Sequence, residues 1–245
     1  PFSLGTGSRY SKEKAGGRMK AIWLGQAGLW LELKGKTVMV DPYLSDSVGE
    51  ANPRMRRRIP VDPVCLSLRP DILAFTHGHL DHYDPATVEP ILRSAYSACV
   101  LAPEGVWDRV RHFGGAHNYV LFRKHTVWTQ GNVRFTAVYA EHSDPGAIGI
   151  VMEAEGRVLY VTGDTLYNTA IFPDLPARID ALFLPINGVG NNMNREDAAR
   201  FARRVGARRV VPLHFGLMDD INPYTFDCDN RVIPEIYKEI PLDLD

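Results

Sequence analysis

The order of elements legible in this 245-residue chain predicts an α+β fold, and two sheets packed face to face with helices outside would accommodate it. Three observations support it. Short apolar, β-branched runs bounded by turn residues recur along most of the chain. Helical stretches alternate with strands around residues 85–112 and again around 179–213. A series of strands at hairpin spacing fills the stretch between them.

Residues 1–18 are rich in Gly, Ser, Lys and Arg and lack the apolar core of a signal peptide. They are expected to form a flexible leader ahead of a natural start at Met19, with 19–245 as a single domain. Strands at 20–24, 29–33 and 36–40 follow, separated by glycine-containing turns at 25–28 and 34–35. A long loop, 43–62, carries four arginines at 54–58, which either solvate the loop or meet an anionic substrate or neighbouring subunit. A strand at 71–75 leads into a histidine-rich segment. Helices at about 85–95 and 104–112 flank a strand at 98–102. Strands near 119–122, 125–129, 132–140, 147–153 and 157–162 form a meander, turning at 130–132 and 155–156. A strand at 179–184 precedes a helix at 194–205, capped by Asn194 and carrying Glu196 and Asp197 in its first turn. The strand at 208–213 ends at His214, and a short helix at about 230–239 closes the pattern.

Composition excludes several classes of function. Hydrophobic residues make up 45% and charged residues 23%, ordinary for a globular protein large enough to bury a full core. A net charge of −1 argues against bulk nucleic acid or an anionic membrane as partner. No apolar run approaches the ~20 residues that span a bilayer. The three cysteines, Cys65, Cys99 and Cys228, are scattered and odd in number, so they read as reduced, buried thiols of a cytoplasmic protein.

Chemistry concentrates in the hexapeptide 77–82, where His77, His79, Asp81 and His82 follow directly on an apolar strand. Imidazole nitrogen and carboxylate oxygen are the usual ligands of catalytic first-row metals. On extended backbone His77 and His79 face the same side, and Gly78 lets the chain bend so that Asp81 and His82 approach from another direction. With 8 histidines in the chain, chance gives such a pattern roughly six times in ten thousand. His142, Asp164 and His214 each sit just past the end of a further apolar segment, where strands hand over to functional loops.

These residues, with Asp41 at the end of an earlier strand, resemble the metallo-β-lactamase superfamily of metal-dependent hydrolases, from about residue 20 to His214. The resemblance implies a four-layer αββα sandwich. It also implies two divalent metal ions, zinc or manganese. One would be held by His77, His79 and His142, the other by Asp81, His82 and His214, with Asp164 bridging and Asp41 orienting the histidines from behind. The stretches 23–30, 41–47 and 210–216 are most similar to the L-ascorbate-6-phosphate lactonase branch, whose members are oligomeric, so a homo-oligomer is open.

The ligand set suits hydrolysis by metal-bound hydroxide, with Asp164 between the ions and Asp81 as proton shuttle. The absence of a Gly-x-Ser-x-Gly elbow fits a route with no covalent intermediate. Tyr43, Asn187, Asn191, Asn192, Met193 and Arg195 lie near motif ends. They either line the pocket, with amides on sugar hydroxyls and an arginine on a phosphate, or serve as turn residues and a solvated helix start. The leading function is a lactonase acting on a small polar, sugar-phosphate-like lactone. The alternatives are a phosphodiesterase or nuclease, and a non-catalytic metal-binding protein.

Overall fold

The computed structural model describes residues 19–94 and 96–244, so the expected leader at 1–18 lies outside them. Two six-stranded sheets form the centre. The first runs β1 (Lys20–Gly25), β2 (Gly28–Leu33), β3 (Lys36–Val40), β4 (Ile72–Ala74), β5 (Cys99–Ala102) and β6 (Asn118–Leu121), in that order. Its β1–β2 and β2–β3 pairs are antiparallel, and the pairs from β3 to β6 are parallel.

Alternation along these strands decides the layering. Ala21, Trp23, Leu29, Leu31, Val38, Val40, Ile72 and Ala74 enter the core between the sheets. Ile22, Leu24, Trp30, Met39 and Leu73 point the other way, into a second apolar layer. After the short α1 (Ser47–Ala51), helices α2 (Pro85–Leu92) and α3 (Glu104–Val110) cover that layer with Val88, Ile91, Val106 and Val110.

The second sheet holds β7 (Val127–Gln130), β8 (Val133–Tyr139), β9 (Ile148–Ala154), β10 (Arg157–Val161), β11 (Ala181–Pro185) and β12 (Arg209–Leu213). Its first four strands form an antiparallel meander, and β10, β11 and β12 run parallel. Helix α4 (Arg195–Val205) packs on the outer face, where Phe201 meets the rings of Tyr160 and Phe172. Asn194 accepts from the Asp197 N–H at its start, and Gly206 closes it in the left-handed conformation. The four layers are helix, sheet, sheet, helix, as expected. Among the described residues no helix is long and apolar enough to cross a membrane.

Three expectations need correction. The 43–62 loop contains α1 and a 3-10 turn at Pro53–Met55. The strand expected at 119–122 is not part of the meander. It continues the first sheet as β6, because α3 carries the chain across so that β6 pairs parallel with β5. No helix forms at 230–239. Pro234 disfavours helical backbone at Ile233, and the exposed edges of both sheets offer better partners. Val232 donates to the Val210 carbonyl on β12, while Tyr237 and Ile240 donate to Trp23 and Ala21 on β1.

Candidate metal centre

The C-terminal ends of β3, β4, β10, β11 and β12 meet at one end of the sandwich, and each delivers a polar side chain there. Asp41 follows β3 with a φ of 43°, a left-handed turn that aspartate tolerates better than most residues. Its buried carboxylate accepts the Thr76 N–H at 2.8 Å and the Thr76 hydroxyl, fixing the segment that begins the histidine box. It also lies 2.9 Å from His82 Nδ1. Backbone bonds from His82 and Tyr83 to the His79 carbonyl close a tight turn that swings Asp81 and His82 inward.

Three overlapping groups of ligand atoms result, the atoms of each within 4.8 Å of one another. His77, His79 and His142 form the first. His77 Nε2 and His142 Nε2 lie 3.0 and 3.1 Å from His79 Nδ1. Asp81, His82 and His214 form another, with His214 Nε2 3.2 Å from Asp81 Oδ2. Asp164 joins His77 and His82 in the third and so lies between the other two; its oxygens are 3.2 Å from His82 Nε2 and 3.3 Å from His214 Nε2. His79 is exposed and His142 half-buried, so the site opens on that side.

The electrostatics divide along the same line. Burial, reinforced by the His82 charge, holds His77 well below its ordinary pKa, and burial also lowers His142. Burial opposes charge on His82 and His214 as well, but there the carboxylates of Asp164 and Asp81 outweigh it. His82 is held well above its ordinary value and His214 is pushed up to about 10. Burial would raise Asp164 and Asp81, yet the facing imidazoles keep both carboxyls below the usual range. The residues fit a divalent metal on a direct observation. His82 Nε2 and Asp164 Oδ1 are buried, have no hydrogen-bond partner and face each other at 3.2 Å. Such a pair costs free energy unless something bridges it.

All seven expected ligands are thus brought together. The expected substrate residues divide. Asn192 donates to Asp164 Oδ2 at 2.7 Å, and the Asn187 amide lies 2.9 Å from His214 Nδ1. Asn191 offers its carbonyl to His142 Nδ1, and Met193 is buried in the core. Tyr43 does not reach the site. It is fully buried beside Leu217 and Met218, and its hydroxyl accepts the Val48 N–H. Arg195 is directed away, to the Thr225 hydroxyl. Two contributors lie outside the expected site residues. Gln26, on the β1–β2 turn with a φ of 51°, donates to Asp81 Oδ2 at 2.9 Å. Arg109, from α3, donates to the Gly78 carbonyl and lies over the Tyr83 ring at 4.4 Å. The out-of-place glutamine between two turn glycines was a usable signal; nothing marked Arg109.

Fold and site together define a metal-dependent hydrolase of the β-lactamase superfamily, and residues 36–215 match the Beta-lactamase superfamily domain. Over 247 aligned residues the chain is 30% identical to a UPF0173 metal-dependent hydrolase of Bacillus thuringiensis subsp. konkukian, covering 88% of this chain and 96% of the relative. The chain belongs to this UPF0173 family. Among solved structures it is similar to Igni18, a metallo hydrolase from Ignicoccus hospitalis, with a TM-score of 0.72 at 18% identity over 90% of this chain and 97% of that one. It is also similar to an isothiocyanate hydrolase from Delia radicum gut bacteria, with a TM-score of 0.71 at 20% identity over 90% and 98%.

Proposed function

We propose that this hydrolase cleaves a small polar carboxylic ester. The leading substrate class is a lactone bearing an anionic group, of the sugar-phosphate kind suggested by the resemblance of 23–30, 41–47 and 210–216. The observation that carries the chemistry is the buried, unpartnered pair His82 Nε2 and Asp164 Oδ1 at the meeting point of the ligand groups. Two divalent cations, zinc or manganese, held by the seven ligands would supply a Lewis acid for the carbonyl oxygen and a hydroxide nucleophile near neutral pH.

The chain's own groups account for the rest. Asp81 Oδ2, within 3.2 Å of His214 Nε2, is placed to accept a proton and return it to the leaving oxygen. Arg109, held at the Gly78 carbonyl and over the Tyr83 ring, would supply a cation beside the histidine box for an anionic substituent. A thiol nucleophile is disfavoured, since burial pushes Cys99 up to about 11 and also raises Cys228. Three buried thiols also fit a reducing, cytoplasmic compartment.

Metal analysis of the native protein, paired with assays on sugar-phosphate lactones and on phosphodiesters, tests this reading. Lactone turnover that a chelator abolishes and zinc or manganese restores is the expected result. Phosphodiester cleavage without lactone hydrolysis would reassign the substrate. A metal-loaded protein inert to both would remove the enzyme reading.

A further inference from the structure

We infer that Asn187 is a positioning residue for His214, its carboxamide oxygen accepting the Nδ1 proton and so reserving Nε2 for a metal ion. The inference rests on the metal-dependent reading above and adds a residue to it.

Asn187 is held firmly where β11 and β12 end. Ile186 donates to the Leu213 carbonyl, Asn187 bridges to Asn194, and Gly188 donates to the Met193 carbonyl. From that frame its amide nitrogen lies 2.9 Å from His214 Nδ1, while its Oδ1 is buried without a hydrogen-bond partner. The other ring nitrogen, Nε2, faces Asp81 and Asp164 at 3.2 and 3.3 Å. Nε2 is therefore the atom turned toward the ligand cluster.

A neutral imidazole carries one proton. With the Asn187 amide donating to Nδ1, that proton must sit on Nε2, where it blocks coordination. A half-turn of the carboxamide exchanges oxygen for nitrogen in almost the same space. Oδ1 then accepts from Nδ1–H, Nε2 is left with a free lone pair, and the buried orphan oxygen gains its partner in the same move. Gln26 cannot substitute. Its amide nitrogen is 3.1 and 3.2 Å from the two ring nitrogens, nearly equidistant and so in line with neither lone pair. It is already committed to Asp81 Oδ2.

The test uses the full chain, zinc as probe, and two substitutions. Asn187→Asp supplies acceptors only; Asn187→Leu supplies neither acceptor nor donor. Zinc affinity is read by competition with a chromophoric chelator, and the His214 ring protonation by 15N NMR of the zinc-loaded protein. Asn187→Asp should bind zinc within about threefold of the parent or more tightly, while Asn187→Leu should weaken one of the bound ions about 10–100-fold. The NMR signal should show a protonated Nδ1 in the parent and in Asn187→Asp. Equal weakening in both variants, no effect of Asn187→Leu, or a bare Nδ1 in the loaded parent would overturn the inference. Should Asn187→Leu fail to fold, the aspartate variant and the NMR signal still decide. A parent that takes up no zinc or manganese would remove the metal-dependent reading itself, a result distinct from metal uptake indifferent to Asn187.

Discussion

His82 is hydrogen-bonded through Nδ1 to Asp41 at 2.9 Å, while its unpartnered Nε2 faces Asp164 at 3.2 Å. The Asp41 contact keeps the proton on Nδ1 and turns Nε2 toward the cluster, so a residue that ligates nothing sets the chemistry of one that does. Replacing Asp41 with Asn offers an amide of the same shape whose NH2 end repels the Nδ1 proton or the Thr76 N–H. Asp41→Asn is expected to weaken metal binding about 10–100-fold, measured by chelator competition; unchanged affinity would mean that His82 needs no such partner. The candidate ligands were legible because three histidines and an aspartate crowd into 77–82 and because His142, Asp164 and His214 share that placement just past an apolar strand, although any one of them alone would read as structural. Tyr43 shows where that reasoning stops. It too follows a strand end, but the left-handed turn at Asp41 and the apolar pair Leu217 and Met218 draw its ring into the core. Arg109 is separated from the box by 27 or more residues, and only the docking of α3 brings it to Gly78.

At the scale of elements, the site exists because the ends of β4 and β10, on different sheets, come close enough for His77 and Asp164 to join one group of ligand atoms. Gly163 makes that approach possible. Its φ is +62°, and a Cβ there would lie 2.7 Å from the Thr76 Cβ, beside His77. Gly163→Ala must push the sheets apart or distort the 76–77 backbone, beyond the cost of a left-handed alanine. A loss of about 2–4 kcal/mol in stability is expected, together with lowered metal content. Gly156→Ala provides the contrast, since φ there is +72° but nothing lies within 4 Å. It should cost about 1 kcal/mol and keep its metal. Thermal unfolding and metal analysis of both variants separate the two effects, and equal metal content in the pair would rule out the close approach as the cause. Strand and helix positions were largely readable from period and turn residues. Sheet membership was not: the residues of β6 look like another hairpin strand, and only the crossover through α3 assigns them to the first sheet.

At the scale of the whole molecule, a carboxylate ties strands together at the end far from the metal centre, and the C-terminal segment ties the two sheets together along their edges. That segment bonds to β12 through Val232 and to β1 through Tyr237 and Ile240, so it blocks an edge of each sheet. Its apolar spacing mimics a helix, and nothing local reveals that two sheet edges compete for it. Asp180 joins the other connections. Its fully buried side chain accepts the Val158 N–H at 2.9 Å and binds Arg178 at 2.6 Å and Arg208 at 3.4 Å. Burial opposes ionisation there, but the Val158 N–H and the two guanidinium groups outweigh it and hold the carboxyl below its ordinary range. A carboxyl depressed in the folded state stabilises the fold above its unfolded pKa of about 3.9, and loses that contribution as pH falls through the folded value. Asp180→Asn should therefore cost about 2 kcal/mol at pH 7, in line with charge-assisted hydrogen bonds. The gap between parent and variant should stay constant down to about pH 4 and then shrink, because protonation makes the parent resemble the amide. Urea unfolding of both proteins from pH 7 to pH 3 measures this gap. A difference that persists unchanged to pH 3 would show that Asp180 acts through shape and packing, and that its charge contributes nothing to joining the strands.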